Sequence, residues 1–386
     1  MSELLTSRWS ETKEALLEGL QGTKKSVMGV TLENTKKYLQ ESATAGATSA
    51  GNVATLNRVI LPVIRRVMPT VIANELVGVQ PMTGPVGQIH TLRVRYADTS
   101  SNAGVTAGEE ALSPFKIAEG YSADSTGRAV STATLEGQAG KRMSIQILKQ
   151  TVEAKTRKLS ARWTFEAAQD AQAQQGIDIE AEVMAALAQE ITAEIDQEIL
   201  ASLLSLAGSA VETFDQNAVS GTATFVGDEH AALAVQINRV SNLIAQRTRR
   251  GAGNWAVLSP YALTILQSAT TSAFARTTEG TFEAPTNTKL VGTLNNAMKV
   301  YVNTYATDTT DILIGYKGSS ESDAAAFYCP YIPLMSSGVV LDPSTFEPVV
   351  SFMTRYGYVE LTNTASSLGN AADYLGRIAI SNVSFK

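Results

Sequence analysis

The sequence predicts an α+β protein. Segments with a three-to-four-residue apolar period are interspersed with segments of strict alternation, and the two kinds follow one another without a βαβ rhythm. The chain has 386 residues. One hydrophobic core stops growing at roughly 250–300 residues, so more than one compact unit is expected.

The elements are read in chain order. Residues 1–41 carry Leu4, Leu5, Trp9, Leu16, Leu17 and Leu20 at helical spacing, with six acidic and six basic side chains. Residues 42–55 are small and polar, the composition of a flexible linker. The first 41 residues are therefore expected to be an arm tethered to a body that begins at Leu56. There, Val59, Ile60, Val63, Ile64 and Val67 form an apolar helical face interrupted by Pro62 and Pro69, predicting two short helices. The Gly- and Pro-rich stretch 78–87 must turn. In 88–96 the alternation of His90, Leu92, Val94 and Tyr96 predicts a half-buried strand, and Met143, Ile145 and Ile147 resume it. Between them, 98–140 has no period. Residues 88–157 thus read as a long two-stranded excursion without its own core, which must lie on something, a neighbouring subunit being the natural support.

Thr164 to Gln175 reads as a helix. Asp178 caps a second, in which Val183, Leu187, Ile191, Ile195, Ile199 and Leu203 step every four residues to about Leu206. A further helix is expected from Glu229 to Arg250, ending at Gly251, then a strand at Trp255–Leu258 and a helix capped by Ser259-Pro260. Strands are expected at 299–305, 311–316, 325–334, 346–362 and 374–385.

The balance of charge narrows the function. Lys and Arg total 31 against 37 Asp and Glu, a net charge of −6. A dedicated nucleic-acid binder would show a basic excess. One cysteine, Cys329, excludes an internal disulfide framework and a multi-cysteine metal site. No apolar run approaches the ~18 residues of a membrane span. The first 20 residues show no secretory signal, so synthesis in the cytosol is expected. Only 18% of residues are charged, which suits wide neutral contact surfaces.

Catalytic motifs are missing. Two histidines, His90 and His230, leave little from which to build a triad, and Gly251-Ala-Gly253 is a truncated lookalike of a phosphate loop. Asp178, Glu180 and Glu182 sit where carboxylates complement a helix dipole. Cys329 reads as a buried structural thiol. No cofactor or metal is expected. The charge runs are more informative. Lys141 to Arg162 holds seven basic residues and one acidic, and Trp163 to Glu198 holds nine acidic and none basic. They read either as solvated faces or as strips that meet between copies of the chain. Arg247, Arg249 and Arg250 complement the C-terminus of their helix, with a contact between subunits or with an anion as the alternative. The candidate inter-subunit residues are Arg157, Lys158, Glu190, Glu194, Arg249 and Arg250.

Several blocks resemble the major capsid proteins of T-even-like tailed phages. The first is Val59–Gly87, above all Glu75-Leu-Val-Gly-Val-Gln-Pro-Met-Thr-Gly-Pro85. Others are Lys149–Leu159, Glu190-Ile-Thr-Ala-Glu-Ile-Asp196, Thr248-Arg-Arg-Gly-Ala-Gly-Asn254, Gly315-Tyr-Lys-Gly-Ser-Ser320, Tyr328-Cys-Pro-Tyr-Ile-Pro-Leu334 and Thr354-Arg-Tyr-Gly357, all in order. The resemblance implies the tailed-phage capsid fold named after phage Hong Kong ninety-seven. On that frame 1–55 is an N-terminal arm and linker and 56–87 begins a peripheral domain. Residues 88–157 are the extended loop and 158–209 hold the spine helix. An axial domain covers 210–325, and 326–386 return to the peripheral domain. The chain is shorter than its T-even relative and leaves no room for that protein's inserted domain.

The resemblance implies hexameric and pentameric capsomers of an icosahedral virion head, assembled in the bacterial cytoplasm. Scaffold, portal and decoration proteins would be partners, DNA would be enclosed without sequence-specific binding, and no membrane is involved. It also implies removal of an N-terminal segment by a head-maturation protease cutting after Glu. Leu39-Gln40-Glu41 is the better match and Leu16-Leu17-Glu18 the lesser, against retention of the arm for packing on neighbouring subunits. The alternatives are a cytosolic carboxylate–metal hydrolase using Asp178, Glu180, Glu182, Glu190 and Glu194, and another shell former such as a bacterial nanocompartment.

Overall fold

The computed structural model describes residues 9, 13, 14, 17, 22–44, 72–101, 103–109, 111, 120–122, 128–137, 140–175, 178–219, 226–269, 274–276, 289–295, 297–307, 311–320, 323–345, 347–361 and 371–383. The expected helices between Leu56 and Val71 and most of the linker 42–55 lie outside them.

In chain order, helix α1 (Gly22–Thr44) and the single turn α2 (Ala73–Leu76) precede strands β1 (Gly78–Val79) and β2 (Val86–Tyr96). A turn α3 (Thr132–Leu135) leads to β3 (Met143–Glu153) and β4 (Lys155–Arg162), then α4 (Phe165–Gln175) and α5 (Ile179–Leu206). Next come β5 (Glu212–Asp215), α6 (Gln216–Val219), α7 (Val226–Thr248), β6 (Trp255–Leu258) and α8 (Pro260–Ser268). Strands β7 (Phe274–Arg276), β8 (Lys289–Leu294), β9 (Met298–Val302) and β10 (Ile312–Gly315) follow. The chain closes with β11 (Ala326–Ser336), β12 (Val340–Leu341), β13 (Pro348–Glu360), a 3-10 turn (Ala371–Tyr374) and β14 (Leu375–Ser381).

These elements form two compact units. The first takes Met1–Gly87, Val152–Ala201 and Phe327–Val359; the second takes Gln88–Thr151, Ser202–Ala326 and Glu360–Lys386. The sequence predicts that 326–386 return to the peripheral domain with 158–209. The structure moves the end of the chain to the second, because β14 pairs in parallel with β5 and antiparallel with β10.

The first unit is built on α5 and a five-stranded sheet in which β11 and β13 lie side by side, with β4 along β13. The stripe Leu187, Ile191, Ile195 and Ile199 is buried, as the four-residue step requires. Asp178 starts the helix by accepting the Glu180 N–H at 3.1 Å. Gly208, at φ +69, follows its end in the left-handed region open to glycine. The arm differs from expectation. Helix α1 buries Val27, Met28 and Leu32, and the Asn34 amide donates to the carbonyls of Met82 and Tyr331 at 2.6 and 2.9 Å. An amide that satisfies two buried carbonyls docks the helix on its own chain rather than leaving it tethered.

In the second unit α7 and α8 pack on a mixed seven-stranded sheet of order β5-β14-β10-β6-β9-β8-β7. Leu233, Ile237, Val240 and Ile244 of α7 meet Val300, Ile312, Ile314 and Ile378 of the sheet. Helix α8 begins as expected, with the Ser259 hydroxyl accepting the Ala262 N–H at 3.2 Å. Helix α7 ends two residues before the expected Arg250. Arg249 takes φ 51, and its N–H donates to Ala245 O at 2.8 Å, so an arginine rather than Gly251 makes the left-handed exit.

Gly315 faces Trp255 across β10 and β6, and a Cβ there would run into the buried indole. Gly315→Ala should destabilise the second unit by about 1–3 kcal/mol through overpacking. Urea unfolding followed by Trp255 fluorescence would check this, and an unchanged midpoint would contradict it.

Candidate assembly surface and its internal clamp

The basic and acidic runs meet inside one chain. β4 pairs antiparallel with β13 over eight residues, Arg162 opposite Val349 through Lys155 opposite Tyr356. Side chains alternate along a strand, so Arg157 points to one face and Lys158 to the other. Glu194 and Glu198 lie one helical turn apart on α5 and share a face. The Arg157 guanidinium donates to Glu194 Oε2 at 2.6 Å, to Glu198 Oε2 at 2.5 Å and through Nε to the Tyr356 hydroxyl at 2.6 Å. That hydroxyl donates in turn to Glu198 Oε2. Burial works against the charge on Arg157, but the bonds to Glu198 and Tyr356 outweigh it and raise the guanidinium further above its ordinary value. Burial also opposes ionisation of Glu198, yet Tyr356 and Arg157 hold its carboxyl below the usual range.

The other candidates fall elsewhere. Lys158 and Glu190 are exposed on β4 and α5. Arg249 is exposed at the end of α7, where Arg250 pairs with Asp323 at 2.6 Å. Glu41 lies within α1. Tyr356, Glu198 and Asp323 were missed from sequence. The four-residue step from Glu194 to Glu198 was the available signal for one of them. Cys329 is buried and its thiol is pushed up to about 11, an inert group. His90 is exposed on β2.

The excursion is the largest departure from the sequence reading. Its outer part does have a core. Tyr96, Ala103, Val105, Ala111 and Tyr121 are buried together, the two rings 4.5 Å apart. The Tyr121 hydroxyl donates to Arg142 O at 2.6 Å, and Arg142 closes on Asp98 at 3.1 Å. This core is too small and irregular to leave a period in the sequence. The stem is different. β2 and β3 form a sheet of their own, and the alternate residues Met143, Ile145 and Ile147 of β3 are 52, 67 and 61% exposed. Exposed Leu or Ile side chains are ordinary singly; three in register make a patch. The chain thus presents an apolar stripe on β3.

Among the described residues no group of three His, Cys, Asp or Glu could hold a metal, and no helix is long and apolar enough to cross a membrane. Arg157 is committed within the chain, and Met143, Ile145 and Ile147 face outward.

The comparisons with known proteins agree. The model of the family described as major capsid protein Gp23 matches residues 53–380. The major capsid protein of Vibrio phage KVP40 is 30% identical, across 85% of this chain and 81% of its own length. That of Enterobacteria phage T4 is 28% identical, across 83% and 78%. Among solved structures, the capsid of Myoviridae phage XM1 is similar at a TM-score of 0.46 and 10% identity, across 81% of this chain and 91% of that one. The chain belongs to the Gp23 major capsid protein family. It is a structural protein of the tailed-phage virion capsid, with the α+β fold of that class, and not an enzyme.

Arg157→Ala should leave Glu194 and Glu198 without their shared cation, with only the Tyr356 hydroxyl still donating to Glu198, and cost about 1–3 kcal/mol. The pH dependence has a definite sign. A carboxyl held below its ordinary value stabilises the fold above that value, and the contribution is lost as pH falls through the folded value. Lowering the pH from 6 to about 3 should therefore weaken the wild type more than Glu198→Gln. Parallel acid-induced unfolding curves for the two would refute the clamp.

Proposed function

We propose that this chain builds the icosahedral head as hexameric and pentameric capsomers, with the excursion of each copy lying over the next and covering the Met143, Ile145 and Ile147 stripe. That stripe is the observation that carries the reading. Burying it stabilises a contact by about 25 cal/mol per Å² of apolar area. Contacts of this head-to-tail kind close into rings when the rotation closes. The acidic balance of the chain fits a shell that encloses double-stranded DNA without sequence-specific binding. Scaffold, portal and decoration proteins complete the proposed set of partners.

The stripe gives the direct test. Changing Met143, Ile145 and Ile147 together to Ser should leave the chain folded by circular dichroism and abolish closed particles in negative-stain micrographs. Normal particles at normal yield would sink the proposal. Lys158, on the strand face away from the clamp, is the cleaner probe of charge between copies. Lys158→Glu should slow assembly more at low salt than at high, because exposed charges are screened over about 10 Å at 0.1 M.

The arm is proposed to be retained. Glu41 lies inside a helix, whereas proteolysis favours exposed, extended segments. Intact mass spectrometry of mature particles should return the full chain; a mass beginning at Ser42 would assign the cleavage instead.

A further inference from the structure

Asp196 takes no part in the clamp, although Glu194 and Glu198 are its near neighbours on α5. Two residues turn a helix by roughly 200°, which carries it to the opposite side. Its side chain is 1% exposed. Oδ1 accepts the backbone N–H of Ile72 at 2.9 Å, and Oδ2 has no partner among the described residues. Ile72 is the residue on which α2 is built. Its carbonyl accepts from Glu75 N at 2.9 Å and Leu76 N at 3.2 Å, and α2 leads into β1, which docks on β11 through Gly78–Phe327 and Val79–Tyr328. A single carboxyl therefore ties the long helix to the start of a segment that continues into the sheet.

A buried carboxylate with one hydrogen bond and no cation is an expensive group, and a neutral acid is not. Among the described residues, Tyr328 and Cys329 on β11, Tyr356 on β13 and Glu198 on α5 share the environment of Asp196, and the nearest described cation of the clamp is Arg157 on β4. Among the described residues none offers Asp196 a positive charge, since the guanidinium of Arg157 is engaged by Glu194 and Glu198. The Tyr328 phenol is raised, chiefly by burial and then by Tyr356 and Asp196, so it stays neutral.

We propose that Asp196 is a proton-operated latch: as a neutral acid it holds Ile72 and α2 against α5, and on ionising it lets them go. Burial, opposed only by the Ile72 bond, pushes its carboxyl up to about 7. The folded chain then keeps a proton that an unfolded chain releases near 3.8. Proton binding favours the closed fold across that window, and the contribution falls as pH rises toward 7. The latch accordingly responds near neutrality, where ordinary carboxyls have long been ionised.

Hydrogen–deuterium exchange of the full chain at about pH 6 and pH 8.5, corrected for the intrinsic pH dependence of exchange, tests it. Peptides covering 72–77 should lose protection by roughly tenfold or more at the higher pH in the wild type. In Asp196→Asn the protection should be equal at the two values. Protection that is constant in the wild type, or that falls equally in the variant, overturns the proposal. If the variant does not fold, infrared spectroscopy of the wild type decides. A carboxylic-acid band present at about pH 6 and lost by 8.5 is expected, and its absence overturns the latch.

Discussion

The fold of the first unit depends on one guanidinium. Arg157 stands on β4 and joins a glutamate pair on α5 to a tyrosine on β13, so helix, inner strand and outer strand are referred to a single point. Strand pairing alone would not do this. A one-residue slip of β4 along β13 would turn every side chain of β4 to the other face. The slip would bring Lys158 towards the carboxylates and carry Arg157 away. Lysine cannot replace the planar fork that reaches two carboxylates and a hydroxyl together. The clamp thus specifies register, a role for which a partly exposed ion pair is better suited than for adding stability.

That economy runs through the molecule. Only 18% of residues are charged, and several of the strongest charges are committed internally: Arg157 to α5, Arg250 to Asp323, Arg142 to Asp98. In the second unit the mixed sheet is covered by α7 and α8. The excursion joins both habits. Its outer part folds around two tyrosines, with an ion pair closing it, and its stem leaves a neutral apolar stripe outward. A capsid protein needs its contacts repeated on every copy and its own fold settled before those contacts form. Local cores and internal ion pairs provide the second condition and uncommitted apolar surface the first.

Much of the local structure was legible in the sequence. The four-residue step placed α5 from Asp178 to Leu206, the Ser-Pro pair placed α8, and the apolar run placed β6 at Trp255–Leu258. These follow from periods of 3.6 and 2 and from capping chemistry, which act within a few residues. The ordered capsid-like blocks were legible for the same reason, since they are continuous stretches of chain. The excursion's core was not, because Tyr96 and Tyr121 meet across a segment with no period.

What only the tertiary structure decided is which distant segments meet. Sequence carried the opposite charge runs, but not that they close within one chain, where Arg157 and Tyr356 are 199 residues apart. It carried β14, but not its place beside β5 in the second unit. It carried Asp196 as one more acid in an acidic run, whereas its burial against Ile72, 124 residues away, makes it a different group from its neighbours. The physical reason is common to all three. Local period and capping depend on backbone geometry shared by every copy of a motif. Burial and charge pairing depend on the long-range packing that brings particular side chains into one low-dielectric place.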